Sequence, residues 1–241
     1  MMRVRPGLSI PISGGLGFDI SDPYDCTAYL FETASGWVLF DAGAGRQPDA
    51  LAALVGSLRG PGHLLLTHAH ADHAGGAAAL RDLGVTVMAA AGTASLVESG
   101  DEAAISLDVA RAAGVYPADY RFRPCVVDEV LACEAPVSLA SLRITPIATP
   151  GHSRDHVSYL VQDGATLALV VGDAVFHGGR VALQNTWDCD VPALCASLRR
   201  LATWTFDSFL PGHGPFSLSR GQRHVAAAVA AIDRLMVPPP L

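Results

Sequence analysis

The stretch His68-Ala69-His70-Ala71-Asp72-His73 places three imidazoles and a carboxylate within six residues, a density that packing alone does not require. It follows an apolar run at 63–67 that reads as a strand, and it precedes residues at helical spacing over 74–83. Side chains alternate along extended backbone, so the His-x-His pair projects two imidazoles to one side, where they can share a cation. Asp72 and His73 come where the chain turns into the helix and can face a second point a few ångströms away. Gly75 and Gly76 behind them allow a close backbone approach. The feature therefore demands a strand ending in a ligand-bearing turn, and an α/β element behind it.

Three further loops repeat the arrangement. Thr149-Pro150-Gly151-His152-Ser153 follows an expected strand at 142–148, Gly172-Asp173 follows one at 166–171, and Pro211-Gly212-His213-Gly214 follows one at 206–210. Imidazole and carboxylate without thiolate suit zinc, and also iron, manganese or nickel. The pattern elsewhere predicts a hairpin from runs 26–33 and 37–41, a helix at 47–59, a strand at 85–89 and a helix at 102–113. Past Pro124 come short strands at 125–130, 142–148, 156–161 and 166–171, assigned to a second sheet, and helices at 191–204 and 222–236. Two half-chains, each with strands followed by helices, suggest two sheets packed face to face with helices outside. The chain is expected to form a single domain, 1–241, with the irregular stretch 91–134 as a cap over the site.

Composition excludes several classes. Half of the residues are apolar and 16% are charged, which excludes a disordered chain. A formal charge of −7 without a Lys/Arg run argues against long nucleic acid as a partner. The apolar runs 167–171 and 225–232 fall far short of the roughly 20 residues that span a bilayer. The first fifteen residues lack the apolar core of a secretion signal, so a cytoplasmic location is expected. Cys26, Cys125, Cys133, Cys189 and Cys195 are scattered, without a Cys-x-x-Cys pair, and read as reduced, buried thiols. Gly14-Gly15-Leu16-Gly17 lacks the Gly-Lys-Ser/Thr of a phosphate loop.

Thr-His-Ala-His-Ala-Asp-His at 67–73, with His152, Asp173 and His213 in their glycine- and proline-framed loops, resembles the metallo-β-lactamase superfamily over nearly the whole chain. The resemblance implies an α+β fold, the four-layer αββα sandwich, with the site at one edge between the sheets. It implies that His68, His70 and His152 bind one metal, that Asp72, His73 and His213 bind a second, and that Asp173 bridges both. Asp41 matches the aspartate that orients a ligand histidine through its other ring nitrogen. A bridging aspartate resembles the glyoxalase II and lactonase-like branches, and true β-lactamases lack it.

The expected cofactor is thus a pair of divalent cations, zinc first, with iron or manganese also compatible. The expected chemistry is attack by a metal-bridging hydroxide on a carboxylic ester, thioester or lactone, with Asp72 and Asp173 in the catalytic centre. A phosphoester hydrolase and a mononuclear-iron persulfide dioxygenase are the competing readings. The partner is a small anionic or polarised molecule, to which Tyr116, Tyr120, Arg121, Phe122 and Arg123 of the cap and His177, Arg180, Gln184 and Asn185 are candidate contacts. Packing is the competing use of these aromatic residues, and hydrogen-bonded structural roles are expected for His63, His156, His177 and His224.

Overall fold

The computed structural model describes residues 1–241 and contains two sheets. The chain divides into two compact units, one of residues 1–131 with 139–141, the other of 132–138 with 142–241.

The first unit carries seven strands in sequential order: β1 (Met2–Arg5), β2 (Leu8–Ile12), β3 (Ala28–Thr33), β4 (Gly36–Phe40), β5 (Gly62–Leu66), β6 (Thr86–Ala90) and β7 (Glu129–Leu131). The expected hairpin is β3 and β4, with Thr33 opposite Gly36 and Tyr29 opposite Phe40. From β4 onward the strands are parallel, so β5 and β6 are buried and read as continuous apolar runs. Helices α1 (Pro48–Ser57), α2 (Ala71–Ala74), α3 (Ala77–Asp82), α4 (Ala91–Ser99) and α5 (Leu107–Ala112) complete it. Leu30, Leu39, Leu64, Leu66, Val87 and Leu80 lie in its core.

Several expectations need correction here. The helix expected at 74–83 is two pieces, α2 and α3, parted at Gly75 and Gly76. A Cβ on Gly75 would stand 2.5 Å from the Ala44 carbonyl oxygen, and one on Gly76 would collide with the Ala42 carbonyl oxygen. The break lets the ligand-bearing turn lie directly on the loop after β4. The strand expected at 125–130 in the second sheet is instead β7, parallel to β6 at the edge of the first. A three-residue edge strand carries too few residues for its pattern to indicate which sheet it joins. Strands β1 and β2 and helix α4 were not anticipated. Segment 91–134, the expected cap, contributes α4, α5 and β7, and its Tyr116, Tyr120 and Phe122 belong to the core of this unit. Arg123 pairs with Asp82 at 2.7 Å, and Arg121 donates to the carbonyls of Ala118 and Tyr120.

The second sheet runs β12-β11-β10-β9-β8, with β8 (Val137–Leu139), β9 (Leu142–Ala148), β10 (Val157–Asp163), β11 (Thr166–Gly172) and β12 (Ser208–Pro211). β9, β10 and β11 form an antiparallel meander, and β12 joins β11 in parallel. The parallel addition requires a crossover, supplied by α6 (Val191–Leu201), whose first turn is capped by Asp190 accepting from the Ala193 amide at 2.9 Å. Helix α7 (Gln222–Ile232) follows. Leu169, Val171, Leu194, Leu198, Phe209, Val225 and Ala228 pack together as the core of this unit. No helix of the chain is long and apolar enough to cross a membrane.

His224 on α7 ties down the loop after β11. Its Nδ1 accepts from the Gly178 amide at 2.9 Å, so the proton sits on Nε2, 2.8 Å from Ser217 Oγ. Burial first, then the neighbouring His177 and Arg223, lowers its pKa from 6.5 to about 4. The unfolded chain therefore binds this proton more readily than the native one, and native stability is complete above the unfolded value and is lost as pH falls toward about 4. Urea unfolding of the metal-free protein between pH 7.5 and 4.5 should show wild type losing stability more steeply than His224→Gln. The difference should approach one proton, or about 1.4 kcal/mol per pH unit. Parallel pH profiles would exclude this role for His224.

Candidate metal centre

In the first unit the turn that carries the expected ligands is held by one carboxylate. Asp41 follows β4 with φ of 64°, in the left-handed region that aspartate tolerates better than most residues. Its Oδ1 accepts from the Thr67 amide at 2.8 Å, and its Oδ2 accepts from Thr67 Oγ1 at 2.9 Å and from His73 Nδ1 at 2.8 Å. Because the Thr67 hydroxyl proton is directed at Asp41, Thr67 Oγ1 is an acceptor for His68 Nδ1, 3.0 Å away. Both imidazoles are thereby held as the Nδ1–H tautomer, which presents the Nε2 lone pair to a ligand. The ring centroids of His68 lie 4.1 Å from His73 and 4.6 Å from His70. Asp72 Oδ2 stands 3.5 Å from His73 Nε2. His70 precedes α2, and its carbonyl accepts from the amides of His73 and Ala74, so the helix begins inside the cluster.

In the second unit three loops converge. His152 follows β9 after Gly151, whose φ of 143° and close approach to the Leu194 backbone of α6 exclude any side chain. Asp173 follows β11, and His213 follows β12, with the Gly212 amide donating to the Gly172 carbonyl at 2.9 Å. Asp173 Oδ2 lies 3.5 Å from His152 Nε2 and 3.4 Å from His213 Nε2. Donors on one tetrahedral zinc, at about 2.0–2.1 Å from it, stand roughly 3.3 Å apart. The spacing of this carboxylate from both imidazoles is that of neighbouring ligands. His156 accepts from the Asp173 amide at its Nε2, 3.0 Å, and its Nδ1 meets Thr149 Oγ1 at 2.8 Å.

From the sequence, Thr67 is only the first residue of the motif, Cys26 only a buried thiol and His156 only a structural histidine. Thr67 precedes the first ligand in sequence, which is a weak signal. The placement of His156 and Cys26 left no trace in the spacing. The thiol of Cys26 lies within 4.8 Å of the donor atoms of Asp41 and His73. Burial pushes it up to about 12, with His73 acting the other way.

Residues 21–188, well over half of the chain, match the family model of the metallo-beta-lactamase superfamily. The chain belongs to this superfamily. It is 28% identical over 209 residues to thioesterase pkgB of Emericella nidulans, covering 84% of this chain and 50% of that protein. It is 30% identical over 222 residues to lactamase-like protein nscB of Aspergillus fumigatus, covering 87% and 56%. It is 24% identical over 189 residues to an atrochrysone carboxyl ACP thioesterase of the same organism, covering 77% and 50%. The chain thus spans about half the length of these curated relatives. Among solved structures, a Cronobacter sakazakii metallo-β-lactamase with a HARLDQ motif superposes with a TM-score of 0.70 at 21% identity, over 97% of this chain and 96% of that one. The subclass B3 enzyme BJP-1 of Bradyrhizobium japonicum gives 0.63 at 22%, over 87% and 86%. At such identities the likeness establishes the metallo-β-lactamase fold, with mixed α and β structure and two sheets. Superfamily membership supports hydrolysis and implies divalent metal ions, typically zinc, and the buried imidazole and carboxylate donors of both units fit such ions.

Cys26 is fully buried, whereas Cys189 and Cys195 are half-buried. Iodoacetamide at pH 8 should therefore modify Cys189 and Cys195 in the native protein and spare Cys26 until guanidinium is added, as read by peptide mass spectrometry. Early labelling of Cys26 would show that the wall behind His73 is open.

Proposed function

We propose that His68, His70 and His152 hold one divalent ion, that Asp72, His73 and His213 hold a second, and that Asp173 is shared between them. The observation that carries this reading is the Asp173 carboxylate, with one oxygen 3.5 and 3.4 Å from two histidine Nε2 atoms contributed by different loops. The tautomers of His68 and His73 support it from the other unit. Within this reading the chain acts as one metallo-β-lactamase-like domain, 1–241, to which both units contribute donors.

The proposed reaction is hydrolysis of a carboxylic ester, thioester or lactone. When bound, the two ions would supply Lewis acidity and a water acidified toward neutral pH. The protein keeps the donor imidazoles neutral and oriented. Asp173 is held by its own amide on His156, so the carboxylate does not swing between loops as a substrate arrives. No serine or cysteine nucleophile is required. Beside His213 lies a cavity of about 290 Å³, lined also by Phe176, His177 and Arg180. It suits an anionic, partly apolar acyl compound. Two relatives are named thioesterases, which places thioesters first among the substrates to be tried.

Zinc-reconstituted protein should contain close to two metal equivalents by elemental analysis. It should hydrolyse members of a panel of thioesters, lactones and carboxylic esters faster than phosphoesters. Asp173→Ala should lower kcat/KM by at least about 100-fold while preserving the circular dichroism spectrum. One tightly held iron with oxygen uptake on a persulfide would overturn the hydrolase reading, and unchanged turnover in Asp173→Ala would remove the shared carboxylate from it.

A further inference from the structure

The cavity beside His213 lies wholly within the second unit, and its frame is fixed. Phe176 and Arg180 form an antiparallel bridge, the Phe176 amide donating to the Arg180 carbonyl at 2.8 Å. Between them the Gly178 amide is held by His224 Nδ1 at 2.9 Å, and Gly179 lies so close to α7 that a Cβ would stand 2.6 Å from the Ala228 nitrogen. Beyond Arg180, the chain at 239–241 runs parallel to Val181. The Val181 amide donates to the Pro239 carbonyl and the Leu241 amide to the Val181 carbonyl, both at 2.9 Å, which brings Leu241 into the wall. Phe176, Pro215 and Leu241 make the lining largely apolar, Arg180 is its one permanently charged residue, and no acidic side chain lines it. That local balance opposes the formal charge of −7 on the whole chain. Arg199 and Arg200 of α6 are paired with Asp233 and Glu134. Arg180 faces no carboxylate: its Nη1 donates to the Pro240 carbonyl at 3.3 Å, and a guanidinium has more N–H donors than one carbonyl uses.

We propose that Arg180 determines specificity by binding a carboxylate at the far end of a short acyl group, whose methylene chain lies along Phe176 and Leu241. The acyl assignment rests on the hydrolase reading above, whereas the anion site rests on the cavity alone. A volume of about 290 Å³ is at the lower end of small-molecule pockets, which run to roughly 300–1,000 Å³. It admits a short acyl chain and excludes a bulky alcohol or thiol leaving group. A guanidinium meets a carboxylate with two parallel charge-assisted hydrogen bonds, which gives direction as well as attraction. The loop and the 239–241 segment are paired before any ligand arrives, so little ordering opposes binding. The substrate class is then the esters or thioesters of a short dicarboxylic acid, and hydrolysis releases the alcohol or thiol together with a dicarboxylate.

S-glutaryl- and S-pentanoyl-N-acetylcysteamine have acyl chains of equal length and the same neutral thiol, and differ only in the terminal carboxylate. Zinc-reconstituted wild type should favour the glutaryl compound, and the ratio of the two kcat/KM values should fall by about 10–100-fold in Arg180→Gln. Arg143→Gln, at an exposed position of β9, is the control and should keep the wild-type ratio. Calorimetric titration of the metal-free proteins with glutarate reads the anion site without turnover, and its affinity should be about 10–100-fold lower in Arg180→Gln than in wild type. A wild-type ratio in Arg180→Gln, or glutarate bound equally by both proteins, would overturn the proposal and leave hydrolysis standing. Turnover of neither thioester by a protein active on the wider ester and lactone panel would also overturn it. Inactivity on the whole panel would instead remove the hydrolase reading, and the glutarate titration then decides for the anion site by itself.

Discussion

The buried carboxylate of Asp41 organises the histidine-rich turn of the first unit. It accepts from the Thr67 amide and hydroxyl and from His73 Nδ1, and through Thr67 it also sets the tautomer of His68. A buried carboxylate is costly unless its lone pairs are satisfied, and these donors satisfy it from a single turn of chain. The left-handed backbone at Asp41 places the carboxylate beneath the next strand's exit. Strain of about 1–3 kcal/mol at such a residue is tolerated when the surroundings over-determine the conformation. Here the Asp41 amide is also held, by the Leu65 carbonyl at 3.0 Å.

The loops of the second unit are held differently. No single anion gathers them. Neutral His156 bridges two of them by accepting from the Asp173 amide and meeting the Thr149 hydroxyl, while the Gly212 amide joins the third to Gly172. Backbone hydrogen bonds fix loop against loop, and glycine permits the close approach. Gly151 against α6 is the clearest case, because a Cβ there would overlap the Leu194 backbone. The Asp173 main chain is consequently immobilised, with Oδ2 of its carboxylate 3.5 Å from His152 Nε2 and 3.4 Å from His213 Nε2.

Aromatic packing ties distant parts of the first unit together. Tyr24, Tyr116 and Tyr120 come from two distant regions of the chain, yet their rings stack in sequence. The rings contribute apolar burial, and the Tyr120 hydroxyl donates to the Ala44 carbonyl at 2.8 Å.

Much of this was legible in the sequence, because strand-end loops rich in histidine and aspartate have a local signature. The hairpin of β3 and β4, the exit of β5 into the His-x-His turn and the loops bearing His152, Asp173 and His213 follow from short-range pattern and turn chemistry. The superfamily followed from their combination. Three things were decided only by tertiary structure. β7 joined the first sheet because parallel pairing with β6 is a long-range contact that a three-residue run does not encode. The helix behind the ligands broke at Gly75 and Gly76 because the loop after β4 lies against them. Tyr24 stacks on Tyr116, and Tyr116 on Tyr120, because side chains so distant in sequence become neighbours only in the folded core.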